Sequence, residues 1–347
     1  MKKQLDIYFL VFLGIFFNTP AWAQAVSELI VMTHDSFNAS KKVIVAFENE
    51  NNAKIRFLKA GDAGAALNQA ILSKSNPMAD LFFGVDNSFL SRALKADIFE
   101  PYRSKILKSI PKKYQLDSSF RLLPVNFGDV CLNFDKAWFK KHHLTPPNSL
   151  EDLTDPKYKG LTVVENPATS SPGLAFLLAT IGHFGKNGFI NYWKALKKND
   201  VLVTDGWNTA YWGEFSAASK GNRPLVVSYA SSPPASVFYS ETPLTESPTG
   251  AIVSGGTAFR QIEFIGILKG TSKLSLAKKF VDYILNVKFQ EDMPLQMFVF
   301  PVNQNAKLPK IFIDHALVAK DPVELSYTEI DQNREKWIEM WTEVVLR

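Results

Sequence analysis

Short apolar runs that end in polar turns and are followed by helical patterns are what most constrain this chain. Leu29–Met32 leads into the turn Thr33-His34-Asp35-Ser36, and a helix is expected from Lys41 to Asn49. Lys54–Leu58 alternates as a strand, Gly61–Gly64 turns, and a second helix runs through Leu67, Ala70, Ile71 and Leu72. Asp80–Val85 reads as a buried strand, and Asp86-Asn87-Ser88 caps a helix over Phe89–Ala96. Strand–helix–strand repetition predicts a parallel sheet covered by helices on both faces. In such sheets ligands sit beyond the carboxyl ends of the strands, where these polar turns lie.

The rhythm changes near Pro124–Gly128 and resumes in a second set of elements. Leu161–Glu165 ends in Asn166–Gly173, helices are expected over Leu174–Phe184 and Gly188–Lys197, and Val201–Val203 leads into Thr204-Asp205-Gly206-Trp207. A helix is then expected through Tyr211 and Phe215, and Leu225–Tyr229 ends in Ala230–Pro234. The chain is expected to cross back near Ala251–Ser254, and helices follow at about Ser275–Asn286 and Asp331–Leu346. This pattern predicts an α/β fold of two lobes, each a mainly parallel sheet flanked by helices, joined by a two-crossing hinge. Residues 24–125 with about 253–347 form the first lobe and 126–252 the second.

The N-terminus supplies an address. Lys2 and Lys3 precede an apolar run from Ile7 to Phe17, then Asn18-Thr19-Pro20 and Ala21-Trp22-Ala23. A basic start, a short apolar middle and small residues at a cut describe an export signal over residues 1–23, cleaved after Ala23. The run is shorter than the roughly 20 apolar residues a membrane span needs. About 320 residues then remain, more than one core usually holds. No cysteine lies near the cut to carry a lipid, and the single Cys131 precludes an internal disulfide. Cys131 reads as a small core residue of a buried strand.

The net charge of +5 is scattered over the chain, so nucleic acid is not an expected partner. Cys and His residues lack metal-ligand spacing, Gly-x-Ser-x-Gly is absent, and neither Ser170 nor Ser171 has an evident histidine base. No catalytic residue, metal or cofactor is therefore expected. Thr169–Gly173 combines a helix start with two serine hydroxyls and suits an anion, although plain N-capping by one serine is the simpler account. Trp207 and Tyr229 place large rings on loops, where they attract a planar cation. Asp62 and Asp86 offer carboxylates or helix caps, His34 offers a ligand contact from a rim turn, and His183 reads as ordinary helix packing.

Thr33–Phe37, Val85–Ser88, Thr169–Gly173, Asp205–Tyr211, Ser228-Tyr229 and Phe300–Val302, taken in that order, resemble the periplasmic thiamine-binding proteins of ABC importers, within the class II solute-binding fold. The resemblance implies a monomeric receptor that closes two lobes on thiamine or a thiamine phosphate and delivers it to an inner-membrane permease. By position, Trp207 and Tyr229 would flank the ligand rings and Asp62 would face the ligand. Ser170 would contact its hydroxyethyl or phosphate end, and Tyr211 would line the cleft. Two positions depart from the family pattern: His34 stands where Tyr is frequent, and Phe298 where Trp is frequent. Receptors for Fe(III), polyamines or phosphonates share the fold and form the alternative. An enzyme of pyrimidine or thiamine metabolism is the more distant one.

Overall fold

The computed structural model describes residues 26–347. The export signal and its cut lie outside the described residues. Strands β1 (Ser27–Thr33), β2 (Ala53–Lys59) and β3 (Leu81–Asp86) form a parallel group in the order β2-β1-β3. Their inward residues are apolar: Leu29, Val31, Leu81 and Phe83 are fully buried. The helices Lys41–Asn51 and Ala63–Leu72 return the chain between them, close to the expected bounds. A second parallel group contains β6 (Thr162–Glu165), β7 (Leu202–Thr204) and β8 (Leu225–Tyr229), in the order β8-β6-β7.

Two long antiparallel strands join the groups. The thirteen-residue β5 (Leu123–Asp135) pairs through Leu123–Val130 with β10 (Phe259–Leu268) and through Val130–Phe134 with β8. β10 pairs in turn with β3, so the sheet is continuous from one lobe to the other. The expected division at 125/126 falls inside unbroken β5. The return crossing comes later than Ala251–Ser254, because β9 (Thr249–Ile252) first pairs with Leu132–Asp135 at the far end of β5. Only at β10 does the chain come back. The antiparallel pair of β5 and β10 thus joins the lobes, and the C-terminal segment reaches the second lobe again, where its helix Lys310–His315 packs on Pro233–Phe238.

Differences at the element level have local causes. The expected break between two helices appears as a kink at Gly185, whose φ of +74° suits glycine, within the helix Ser171–Lys198. The helix expected through Phe215 stops earlier. A single turn, Trp207–Thr209, continues as a wide turn over Ala210–Glu214, and Phe215 is extended and bridged to Arg223. His183 does more than pack: its Nε2 lies 2.7 Å from Glu151 Oε1. The C-terminal helix Tyr327–Val345 packs on both Ser171–Lys198 and Leu90–Lys95, with Trp341 edge-on to Trp193 at 5.5 Å. Cys131 is fully buried in β5, as expected of a small core residue.

Candidate functional site

The carboxyl ends of β1, β2 and β8 and the loop after β7 open on a cavity of about 280 Å3 between the lobes. Of the eight residues singled out from sequence, seven line it: His34, Asp62, Ser171, Trp207, Tyr211, Tyr229 and Phe298. Ser170 does not. It is fully buried at the start of Ser171–Lys198, where its Oγ accepts the Gly173 N–H at 3.4 Å. The simpler reading, N-capping, describes Ser170, and the ligand contact implied by resemblance has no surface to use. Asp86 is likewise internal, its Oδ1 accepting the N–H groups of Ser88 at 2.8 Å and Phe89 at 3.2 Å.

Asp62 is the residue at which the lobes meet. It caps the helix Ala63–Leu72, with Oδ1 accepting the Ala63 N–H at 2.6 Å. Its Oδ2 accepts the backbone N–H of Trp207 at 2.9 Å, and Oδ1 that of Ser171 at a long 3.4 Å. One carboxylate of the first lobe thereby spans two loops of the second. Burial pushes the Asp62 pKa up, opposed by these three amides and by His34. Beside it, Ala65 N–H reaches Thr169 O at 3.2 Å, and Ser36 Oγ reaches Asn208 Oδ1 at 3.1 Å.

The aromatic wall is built on the wide turn that sequence reading took for helix. Tyr211 is buried beside Val163, Phe215 and Val226, and burial raises its hydroxyl pKa to about 12. Trp207 stacks on Tyr211 at 4.9 Å and 18°, and its Nε1 donates to Ser228 Oγ at 2.9 Å. One face of the indole and its N–H are therefore fixed by the protein. Tyr229 is fixed from the hinge: its OH donates to Gln261 Oε1 of β10 at 2.5 Å. Gln261 Nε2 in turn donates to Ser171 Oγ at 2.8 Å and to Asp86. Burial pushes the Tyr229 pKa well up. Gly128 is required here, because a Cβ would stand 2.8 Å from the Tyr229 ring.

His34 pairs with Glu263 of β10, Nε2 to Oε1 at 3.1 Å, while Asn126 of β5 donates to Glu263 Oε2 at 2.7 Å. Burial alone would lower the His34 pKa, but the Glu263 carboxylate, with smaller help from Asp62 and Asp35, turns the net shift upward. Phe298 adopts φ +53° and is held by Ser231 Oγ donating to its carbonyl at 2.7 Å. Tyr239 faces it at 5.6 Å, and with Trp212 forms an exposed aromatic lip on the cavity.

Sequence reading missed Glu263, Lys59, Asn208, Trp212 and Tyr239 in the lining. Glu263 had a signal: it is a charge set in the apolar run Ile262–Leu268. Glu165, at the end of β6, is buried with neither oxygen hydrogen-bonded, and desolvation raises its pKa well above the usual carboxylate range. Among the described residues no cluster of His, Cys, Asp and Glu has the arrangement of a metal site.

Residues 76–321 match the family of bacterial extracellular solute-binding proteins. The chain is 30% identical to a thiamine-binding periplasmic protein of Salmonella typhimurium, over 94% of this chain and 96% of that one. It is 29% identical to its counterpart in Escherichia coli over the same shares. Among solved structures, a periplasmic thiamin binding protein superposes with a TM-score of 0.81 at 26% identity, covering 93% of this chain and 97% of that one. A ferric binding protein from Campylobacter jejuni gives 0.71 at 20% identity, over 91% and 99%, a likeness of fold alone.

Proposed function

From a chain that belongs to the bacterial extracellular solute-binding proteins, we propose a receptor that captures thiamine between its lobes in the periplasm and hands it to an ABC permease. The observation that carries this reading is the composition of one cavity. Trp207, Tyr211 and Tyr229 supply flat rings, and Asp62 and Glu263 supply carboxylates, all within a volume of about 280 Å3. Thiamine pairs a permanently cationic thiazolium with an aminopyrimidine. An indole face attracts such a planar cation, and a carboxylate suits both the positive ring and the amino group. The site contacts arrive from both lobes and from the hinge, so ligand and closure stabilise one another.

The relatives named above are binding proteins, and the reading is accordingly of a receptor and not an enzyme. Phosphonate and ferric receptors use the same fold, which leaves the ligand to be decided by the side chains. Here the rings and acids favour a cationic heterocycle. Tyr229, the tyrosine an iron site would draw on, has its hydroxyl engaged by Gln261.

Calorimetric titration of the purified chain without residues 1–23 tests the proposal. Thiamine is expected to bind one site at micromolar affinity or tighter, with spermidine and Fe(III) silent. No heat from thiamine at micromolar concentration refutes it.

A further inference from the structure

We propose that the first lobe carries a face that binds an anionic phospholipid surface reversibly, whichever solute the cleft takes. Against the otherwise scattered bases of the chain, residues 103–113 hold five bases and no acid, a charge equal to the net +5 of the whole sequence. They fold as two short turns of 3-10 helix, Lys105–Ser109 and Lys112–Tyr114. Leu107, Ile110 and Tyr114 are buried and fix these turns to the lobe, with Tyr114 stacked on Phe127 of β5 at 4.8 Å. Gln115 Nε2, just past the second turn, donates to Leu107 O at 3.0 Å and Ile110 O at 2.7 Å, which holds the two turns together. The bases are left outside. Arg103, Lys105, Lys108 and Lys112 are exposed around one concavity of about 700 Å3, and Lys113 is exposed beside Lys112.

These charges are not answered from within the protein. Arg56, Lys95, Lys269 and Lys273 each have a carboxylate oxygen at 2.7–3.4 Å, whereas none of the five forms an ion pair among the described residues. Arg103 and Lys113 rest instead over the rings of Phe120 and Tyr114, each at 5.0 Å. Two acids of adjoining segments are turned inward. Asp282 accepts the hydroxyls of Tyr102 at 2.7 Å and Ser104 at 2.5 Å, and Asp117 accepts the N–H groups of Ser119, Arg121 and Leu122 at 2.8–3.0 Å. Fixed turns that present unneutralised bases suit a partner that repeats negative charge over an area, as anionic headgroups do. Leu116, 42% exposed directly after Gln115, adds an apolar side chain of the kind that enters a headgroup boundary. The protein is periplasmic like its relatives, and the inner membrane that bounds that space presents such a surface. No residue around the concavity lines the cleft, so the two surfaces are separate.

The test is co-sedimentation of the chain without residues 1–23 with phosphatidylcholine vesicles, with and without about 30% phosphatidylglycerol, at low salt. The parent is expected to bind the anionic vesicles and not the neutral ones, and to be released as salt rises towards about 0.5 M. Each base held near such a surface strengthens binding about fivefold, so the triple variant Lys105→Gln, Lys108→Gln, Lys112→Gln is expected to bind roughly 100-fold more weakly. A control with the same net charge replaces Lys194, Lys197 and Lys198, exposed on the helix Ser171–Lys198, by Gln and is expected to stay within about threefold of the parent. Circular dichroism is expected to be unchanged in both variants. A parent that does not distinguish anionic from neutral vesicles overturns the proposal, and so do equal losses in the patch variant and the control. Either result leaves thiamine binding at the cleft untouched.

Discussion

Replacing Trp207 separates a ring that binds from a ring that merely packs. In Trp207→Ala the backbone N–H that meets Asp62 persists, so the contact between lobes is retained while the indole is lost. The ring stacks on Tyr211 at 4.9 Å and is oriented by Ser228, which leaves it preorganised for a cationic ring in the cavity. A desolvated cation–ring contact contributes about 0.5–2 kcal/mol and aromatic stacking beyond area burial about 0.5–1.5 kcal/mol. Together they amount to about 1–3.5 kcal/mol, or roughly a 5- to 300-fold rise in Kd at 1.4 kcal/mol per factor of ten. Trp207→Phe keeps an aromatic face and gives up the bond to Ser228, worth about 0.5–1.5 kcal/mol, so it should fall between parent and Ala. Ser228 retains Ser232 Oγ at 2.9 Å, so the Phe variant strands no buried hydroxyl. Titration calorimetry with thiamine reads all three proteins, with circular dichroism to confirm the fold. An Ala variant within about twofold of the parent would refute the cation–ring argument, since that gap lies below its smallest estimate.

Two substitutions probe the buried charges around the cleft. Glu165 has a folded-state pKa raised by desolvation, so its carboxyl costs stability as pH rises above 4.5, about 1.4 kcal/mol per pH unit until the folded pKa is reached. Glu165→Gln should therefore raise Tm at neutral pH by an amount that shrinks towards pH 4.5, and a constant or negative shift in a thermal scan would contradict this. The pair of His34 with Glu263 raises the histidine pKa, so its contribution is fully present below pH 6.5 and disappears as pH climbs through the folded value. His34→Asn should flatten the fall in Tm between about pH 6 and 8, the range in which an upward-shifted histidine titrates. An unchanged slope would show that the pair carries no linkage.

Much of the fold was legible because its signals are local. Apolar runs of a strand's length, each closed by a polar turn, mark β1, β3, β6 and β8 within a residue or two. The bond pattern at Asp62 was not, since its partners Ser171 and Trp207 lie 109 and 145 residues away and present backbone N–H groups, which every residue has. Sequence reading found the carboxylate and the anion-suited turn as separate features; the folded chain sets one against the other. The same distance in sequence hid the hinge pairing of Glu263 with His34 and Asn126. Ser170 shows the converse, where local capping accounts for a residue that positional resemblance had placed at the ligand. The wide turn after Trp207 escaped because its apolar spacing suits a helix, and only the folded packing of Tyr211 against Val163 and Val226 distinguishes the two.

Closure and capture draw on the same atoms in this protein. Bonds from Asp62 to Trp207 and Ser171, from Ala65 to Thr169 and from Ser36 to Asn208 join the lobes without reference to any solute. Each such bond contributes about 0.5–1.5 kcal/mol net, so four of them are comparable with the few kcal/mol that separate open and closed populations. The apparent Kd equals the intrinsic Kd divided by the fraction of molecules in the closed, binding-competent state, so whatever these bonds add to closure is subtracted from the work the ligand must do.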